Sequence, residues 1–465
     1  MAKAIELTDF SVSPPIENSK LYKKLQDISL ITLDTSVCDV VSKQKDIEPI
    51  LEIYKGLKEN EVIITTFGYV GKFSAFGVDF NIGYRFGNIL LDRMVAKVND
   101  FEMKSLELES IATKNKSQND NLVMRMLYMH FILKLEKLSI LGLPKSYVRV
   151  EHHQKFKGQI DINRYIKKDV PFQGKISSKS YEQEYVQEIV DVLYTALNEV
   201  EKSFKESVTK RVFQTRNLLM HYANRQFVNE EIITKALNHK VLQNSLYSEF
   251  KVTLEIASFI IHHTFNIKYK NNKLLTGLVF DVSLLWENYL YKLLKENFEN
   301  DGWNVIHEDE LNVYKNNFYA RRMLPDIVMK KDNKVIVFDA KSKSMTFEKG
   351  LGNGERGDLD RNDFFQVNTY MTYYNKQKNL EVIAGGLLYP IGREFNCRFN
   401  NEICKENYEK WKAHSDNWFG DETTKFIVDG IDLSFMTDKN DSKKKKDDIL
   451  KSEKAFIIRI KRLAK

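Results

Sequence analysis

Apolar positions recur along this chain with two different periods, and the changes between them divide it. Residues 1 to about 145 mix short runs of strand character, Glu61–Phe67 and Phe73–Ile82, with helical periodicity over 88–98 and 119–140. From about 146 to 270 the helical period dominates, over 182–200 and 231–264, and its aromatic and methionine stripes read as core rather than as a cofactor box. A third pattern begins near 274. Residues 281–299 are spaced as a helix, followed by two unbroken apolar runs, Ile327–Met329 and Val335–Phe338, that suit strands buried on both faces. A further helix is predicted over 362–374 and a strand over Val382–Tyr389, stopped at Pro390; Ala455–Ile460 looks like a late strand. The prediction is a multidomain α+β protein: an N-terminal α+β region (1–145), a mostly helical connector (146–270), a C-terminal α/β domain with a mixed sheet and packed helices (274–400), and an extension (401–465).

Composition narrows the class only slightly. At 465 residues and 54.5 kDa the chain can build two or three cores. A formal charge of +7 is compatible with contact to a polyanion, but 71 Lys and Arg are set against 64 Asp and Glu, so no general charge blanket exists. The run Lys443–Lys446 reads as a solvated loop. Cys38, Cys397 and Cys404 form neither a disulfide framework nor a zinc quartet, and suit reduced cytoplasmic thiols. The histidines show no metal-site spacing, since His152-His153 and His262-His263 are adjacent and diverge. MAKAIELTDF has no signal-peptide core and no stretch approaches a membrane span, so a soluble cytoplasmic protein without membrane contact is expected. Neither Gly68–Lys72 nor Phe172–Lys175 has the spacing of a phosphate loop, so no nucleotide site is expected in this chain.

The candidate chemistry lies in RRMLPDIVMKKDNKVIVFDAKSK, residues 321–343. A tight turn between the two apolar runs makes a hairpin whose open end brings Asp326 beside Asp339 and Lys341; the last two lie two apart and share a face. Two carboxylates this close repel, which is costly near buried strands unless a cation sits between them, and oxygen ligands favour Mg²⁺, with Mn²⁺ as the alternative. Beside those acids Lys341 should hold its proton, which suits orienting water and phosphate rather than acting as a base. Such a site supports metal-assisted phosphodiester hydrolysis. Upstream, Glu287 shares a helix face with Leu290, Leu294 and Phe298, so its carboxylate points to the packed side and needs a partner. Downstream, Gln366 and Tyr370 lie four apart on one helix face and could meet the same substrate.

The order Glu287, Pro325-Asp326, Asp339-Ala340-Lys341, Gln366-x-x-x-Tyr370 resembles the PD-(D/E)xK nuclease superfamily, and in particular McrC and LlaJI-type subunits of McrBC-like restriction systems. DAKSK, DFFQVNTYMTYY and GGLLYP resemble the nuclease motifs; GQIDINRYIKKDVPFQGKI (158–176) and NIGYRFGNILLDRMV (81–95) resemble central and N-terminal motifs. Tyr84-Arg85 stands where Pro-Lys is usual, and Ser342 where an aromatic is common. The resemblance implies a restriction-endonuclease-like core over 274–400 and an N-terminal region that docks a separate AAA+ GTPase whose hydrolysis this subunit stimulates. The motor would bind the GTP and read the site on double-stranded DNA. The implied metal ligands are Asp326, Asp339, Glu287 and the backbone carbonyl of Ala340; Gln366, Tyr370 and Lys343 are the implied DNA contacts. Arg164, Lys167 and Lys168 could touch the motor, although a solvated charged face explains them as well. Two other functions compete: a motor activator that binds DNA without cutting, against which the intact Asp326, Asp339 and Lys341 count, and a stand-alone end-processing nuclease, against which the N-terminal resemblance counts.

Overall fold

A computed structural model describes residues 4–26, 28–34, 39–41, 48–99, 118–153, 156–172, 174, 176–203, 210–225, 227–265, 276–312, 322–343, 346–349, 355–392, 414–437 and 442–464. The three cysteines fall outside these residues. Two compact units result, Met1–Met103 with Asn272–Lys465, and Lys104–Asn271.

The centre of the first unit is a six-stranded mixed sheet. Its strands are β1 (Asn304–His307), β2 (Ile327–Lys331), β3 (Lys334–Ala340), β4 (Glu381–Ile391), β5 (His414–Trp418) and β6 (Asp421–Asp432), in the spatial order β1-β2-β3-β4-β6-β5. The two apolar runs form the antiparallel pair β2/β3, joined through Asp332 and Asn333, with Asp332 at φ +53. All seven residues of those runs are fully buried, because helices cover both sides of the sheet. β3 pairs in parallel with β4, and β4 in parallel with β6.

Three helices pack here: α1 (Val282–Phe298), α2 (Arg361–Asn375) and α3 (Ser442–Leu463). Asp281 caps α1 by accepting from the Ser283 and Leu284 amides. Asp360 caps α2 in the same way through Asn362 and Asp363. The absence of a side chain at Gly385 lets α2 approach β4, for a Cβ there would lie 2.5 Å from the Met371 sulfur.

The N-terminal part of this unit holds a five-stranded sheet containing Ile5–Thr8, Val78–Gly83, Tyr69–Ala75, Thr276–Asp281 and Asp39–Val41, and a four-stranded sheet built on Glu61–Thr66 and Pro49–Lys55. They share a core that includes Leu21, Ile50, Ile53, Phe73 and Phe80. The strand Thr276–Asp281 runs straight into α1, so this sheet sets where α1 starts. Asn88–Val98 is a helix, as its periodicity predicts.

The second unit contains helices Gln118–Ser139, Gln187–Ser203, Phe213–Tyr222, Glu230–Leu237 and Ser248–Phe265, and a three-stranded antiparallel sheet of Gln159–Ile160, Ser178–Tyr185 and Lys145–His152.

Several expectations are corrected. Phe73–Ile82 is not one strand but the inner part of a hairpin, turned at Phe76 and Gly77, both at positive φ; the apolar alternation simply continues across the turn. The helical stretch placed at 182–200 begins only at Gln187, and 231–264 is two helices, interrupted where His239 and Asn244 cap short 3-10 turns. Ala455–Ile460 and the run Lys443–Lys446 both belong to α3. Six residues are too few to separate the two periods; over the full helix Ile449, Ser452, Phe456 and Ile460 fall on one buried face. The boundary drawn at 400 cuts the central sheet, since β5 and β6 come from beyond it, and the boundary drawn at 145 gives 104–145 to the N-terminal region, whereas the compact units place them with the second unit.

Candidate active site

The hairpin β2/β3 does bring its open end together. Asp326 lies just before β2, and its Oδ2 accepts from the Ala340 amide at 2.7 Å, which locks the turn onto the end of β3. Asp339 is fully buried at that end. The Lys341 ammonium lies 2.6 Å from Asp339 Oδ2 as an ion pair, and the same ammonium is shared with Asp363 at 3.4 Å. Beyond β3 the Lys341 amide donates to the Leu388 carbonyl at 2.9 Å, extending the pairing with β4 by one residue.

Electrostatics follow the burial. Desolvation, then the charge of Asp339 and of Glu287, push the Asp326 carboxyl well above the usual aspartate range. Asp339 is raised as well, chiefly by burial, against the pull of Lys341. Burial works against a charged Lys341, but Asp339, Asp363 and Asp326 outweigh it and keep the ammonium protonated. The sign expected for this lysine therefore stands.

Glu287 projects from α1, half-buried as its helical position predicts, and its partner is an imidazole: Oε1 lies 2.7 Å from His307 Nε2 at the end of β1. Glu308 joins them, so that one ligand atom from each of Glu287, His307 and Glu308 lies within 4.8 Å of the others. The Glu308 amide donates to the Asp326 carbonyl at 3.1 Å, which places this trio against the Asp326 turn. An oxygen-only ligand set is thus met by a nitrogen donor. The trio Glu287, His307 and Glu308, and the upward push that Asp339 and Glu287 exert on Asp326, fit a divalent cation at this end of the hairpin; Asp326 and Asp339 lie outside the trio's 4.8 Å grouping.

Gln366 and Tyr370 do share a face of α2, and they bind each other and the protein. Gln366 accepts from Lys341 Nζ at 3.2 Å and donates to the Tyr370 hydroxyl at 2.8 Å, which in turn donates to the Leu324 carbonyl at 3.3 Å. Tyr370 is buried whereas Gln366 is exposed, so the relay runs from the surface to the segment just before Asp326. Lys343 pairs with Asp360 at 2.9 Å and Asp363 at 2.8 Å.

Three site residues escaped the sequence reading. Asp363 is buried 3.4 Å from Lys341, and it opens the DFFQ segment, so its signal lay in a motif already noticed. His307 and Glu308 had none, because nothing in NVIHEDE marks which face the chain will present to α1.

Residues 47–390 match the family described as McrBC 5-methylcytosine restriction system component. The chain belongs to the McrBC family. The matched span contains Glu287, His307, Asp326, Asp339, Lys341, Gln366 and Tyr370. No curated protein matches it. Two solved structures from Thermococcus gammatolerans are similar to this McrBC-family chain. One is a refined half-complex from a tetradecameric assembly of McrB AAA+ hexamers with bound McrC, 15% identical over 99% of this chain and 100% of that one, TM-score 0.46. The other is a cryo-EM structure of the McrBC complex, 16% identical over 64% of this chain and 88% of that one, TM-score 0.30. No helix among the described residues is long and apolar enough to cross a membrane.

Proposed function

We propose that this chain is the McrC-type DNA-cleaving subunit of an McrBC restriction system, hydrolysing phosphodiester bonds with Mg²⁺ and stimulating a partner AAA+ GTPase. The observation that carries the reading is the acid pair at the hairpin's open end, half-buried Asp326 and fully buried Asp339, with the ammonium of Lys341 2.6 Å from Asp339. Membership of a restriction-component family supplies the biological setting.

Asp326, Asp339 and Glu287 would hold the cation, with His307 beside Glu287. When bound, a divalent ion supplies an acidified water and neutralises charge on the scissile phosphate. Lys341, held protonated by its acidic neighbours, donates hydrogen bonds to that phosphate and orients the attacking water. Gln366 steadies the Lys341 ammonium, while Tyr370 fixes the backbone before Asp326. Gln366 and Lys343 form the exposed edge that meets the DNA backbone. The chain carries no phosphate-loop sequence, so GTP belongs to the partner.

The test is cleavage of methylated and unmethylated plasmid by this chain co-expressed with its motor, with Mg²⁺, with and without GTP. Cutting that requires GTP and is lost in Asp339→Ala supports the reading. Stimulated GTP hydrolysis with no cutting would transfer it to a motor activator, and GTP-independent trimming of ends to a stand-alone nuclease.

A further inference from the structure

Past Lys341 the chain leaves the sheet, and the ladder bond from the Lys341 amide to Leu388 is its last. The next carbonyl is that of Ser342. It accepts from the guanidinium of Arg85, which belongs to the turn between the strand Val78–Gly83 and the helix Asn88–Val98. Arg85 is far from the active site in sequence but touches the residue next to Lys341.

The arginine is held by Asp9 and by two rings, while its buried Nε has no hydrogen-bond partner among the described residues. Its backbone amide donates to Asp9 Oδ1 at 2.6 Å, its Nη1 lies 3.5 Å from Asp9 Oδ2, and its guanidinium carbon sits 5.0 Å from the centres of both the Phe10 and Phe86 rings. Asp9 is fully buried, and two aromatic faces leave the guanidinium little freedom. A planar fork stacked this way can satisfy Asp9 and Ser342 together, which a point-charge ammonium cannot do as well.

A second contact ties the same spot to α1. The Ser342 hydroxyl is 2.7 Å from that of Ser283, in the first turn of the helix that carries Glu287. Ser283 and Phe10 meet at Gly68, where a Cβ would lie 2.6 Å from the Ser283 hydroxyl oxygen and 2.9 Å from the Phe10 ring. The Gly68 carbonyl also accepts from the Val282 amide at 2.9 Å. Phe10, Gly68 and Arg85, all from the N-terminal sheet region, therefore bear on the ends of the two elements that deliver Lys341 and Glu287.

We infer that Arg85 is a positioning residue for the nuclease site, clamping the Lys341–Lys343 segment so that the Lys341 ammonium stays aimed at the phosphate. The inference rests on the nuclease reading above. It assigns the N-terminal sheet a role in cleavage that is separate from motor docking. Any movement of the turn at 84–87 is passed to Lys341 through one hydrogen bond.

The experiment uses the full chain with its motor. Arg85→Met keeps the length of the stem between the two rings but removes every donor; Arg85→Lys returns one donor; Arg85→Ala opens a slot for free guanidinium. Arg85→Met is expected to lower kcat about 10–100-fold, the scale of a sub-ångström to ångström misplacement of a catalytic group. KM for DNA and the Mg²⁺ binding isotherm should stay within about 2-fold of wild type, Arg85→Lys should recover part of kcat, and added guanidinium should raise the rate of Arg85→Ala. Amide hydrogen exchange at 341–343 should quicken in Arg85→Met. A rise in KM with kcat intact would make Arg85 a DNA contact and overturn the proposal, as would unchanged kcat and exchange. If the wild-type complex does not cut at all, the nuclease reading fails on its own, and exchange at 341–343 alone decides whether the clamp exists.

Discussion

Two kinds of buried carboxylate stand in the same unit. Asp429 on β6 is fully buried and meets the Arg459 guanidinium at 2.8 to 3.2 Å, with the Gly430 amide adding a bond at 2.7 Å. Glu453 on α3 takes both forks of Arg93 at 2.7 Å and the Tyr289 hydroxyl at 2.6 Å. Asp339 is buried as deeply, and its counter-charge is one lysine ammonium at 2.6 Å that it shares with Asp363. The first two acids are satisfied within the protein: Asp429 ties α3 to the sheet, and Glu453 ties α3 to α1 and to the helix Asn88–Val98. Asp339 is held near other acids, Asp326 and Asp363, whose charge one ammonium must serve. Burial alone therefore does not identify a functional acid; incomplete compensation does.

Removing charge at the two sites should have different effects. The largest expected change is in activity: Asp339→Ala should lower cleavage by at least ~10³-fold, about 4 kcal/mol of transition-state stabilisation, while motor binding measured by co-purification persists. A mutant that cuts at the wild-type rate would end the proposed site. Next, Arg459→Leu takes the guanidinium from the buried Asp429, which should cost about 3–5 kcal/mol in urea unfolding. A loss below 1 kcal/mol would dissolve the contrast from the structural side.

Metal should act on one cluster only. Mg²⁺ or Mn²⁺ at about 100 times its Kd should stabilise wild type by about 2.7 kcal/mol and Asp339→Asn far less, while Arg459→Leu keeps the full increment. Without metal, Asp339→Asn should destabilise the protein at neutral pH by ~1–3 kcal/mol, since it takes from the Lys341 ammonium its partner at 2.6 Å. Stabilisation there would mean that repulsion among the acids outweighs the pair.

The smallest effect is on the pH profile. Burial raises Asp9 and Asp281 from 3.8 to about 6 in the folded protein. The folded state then holds protons that the unfolded chain has released, so their contribution to stability is complete below 3.8 and is lost as pH rises through about 6. Asp9→Asn should flatten part of that decline in urea midpoints measured from pH 4 to 7. An unchanged slope would show that Arg85 cancels the burial of Asp9.

Much of the site could be read because its residues lie in continuous local patterns. Asp326, Asp339 and Lys341 occupy the ends of two short apolar runs whose hairpin geometry follows from alternation and a tight turn, and Gln366 and Tyr370 are one helical turn apart. Local spacing also put Glu287 on the packed face of α1. It could not say what that carboxylate would meet, because His307 arrives from β1 and its place depends on how β1 pairs with β2. The same holds for α3, whose strand-like end became one helix only when Ile449, Phe456 and Ile460 found the sheet to pack against.

By itself, the sequence determined the β2/β3 hairpin, the helical faces of α1 and α2, and the chemistry of an acid pair with a lysine, all consequences of short-range periodicity and residue type. The tertiary structure alone decided that β5 and β6 complete the central sheet, that His307 and Asp363 join the site, and that Arg85 reaches Ser342. Those contacts connect residues up to 257 apart in the chain. Which partners meet at such separations is set by how sheets and helices stack, which no local window contains.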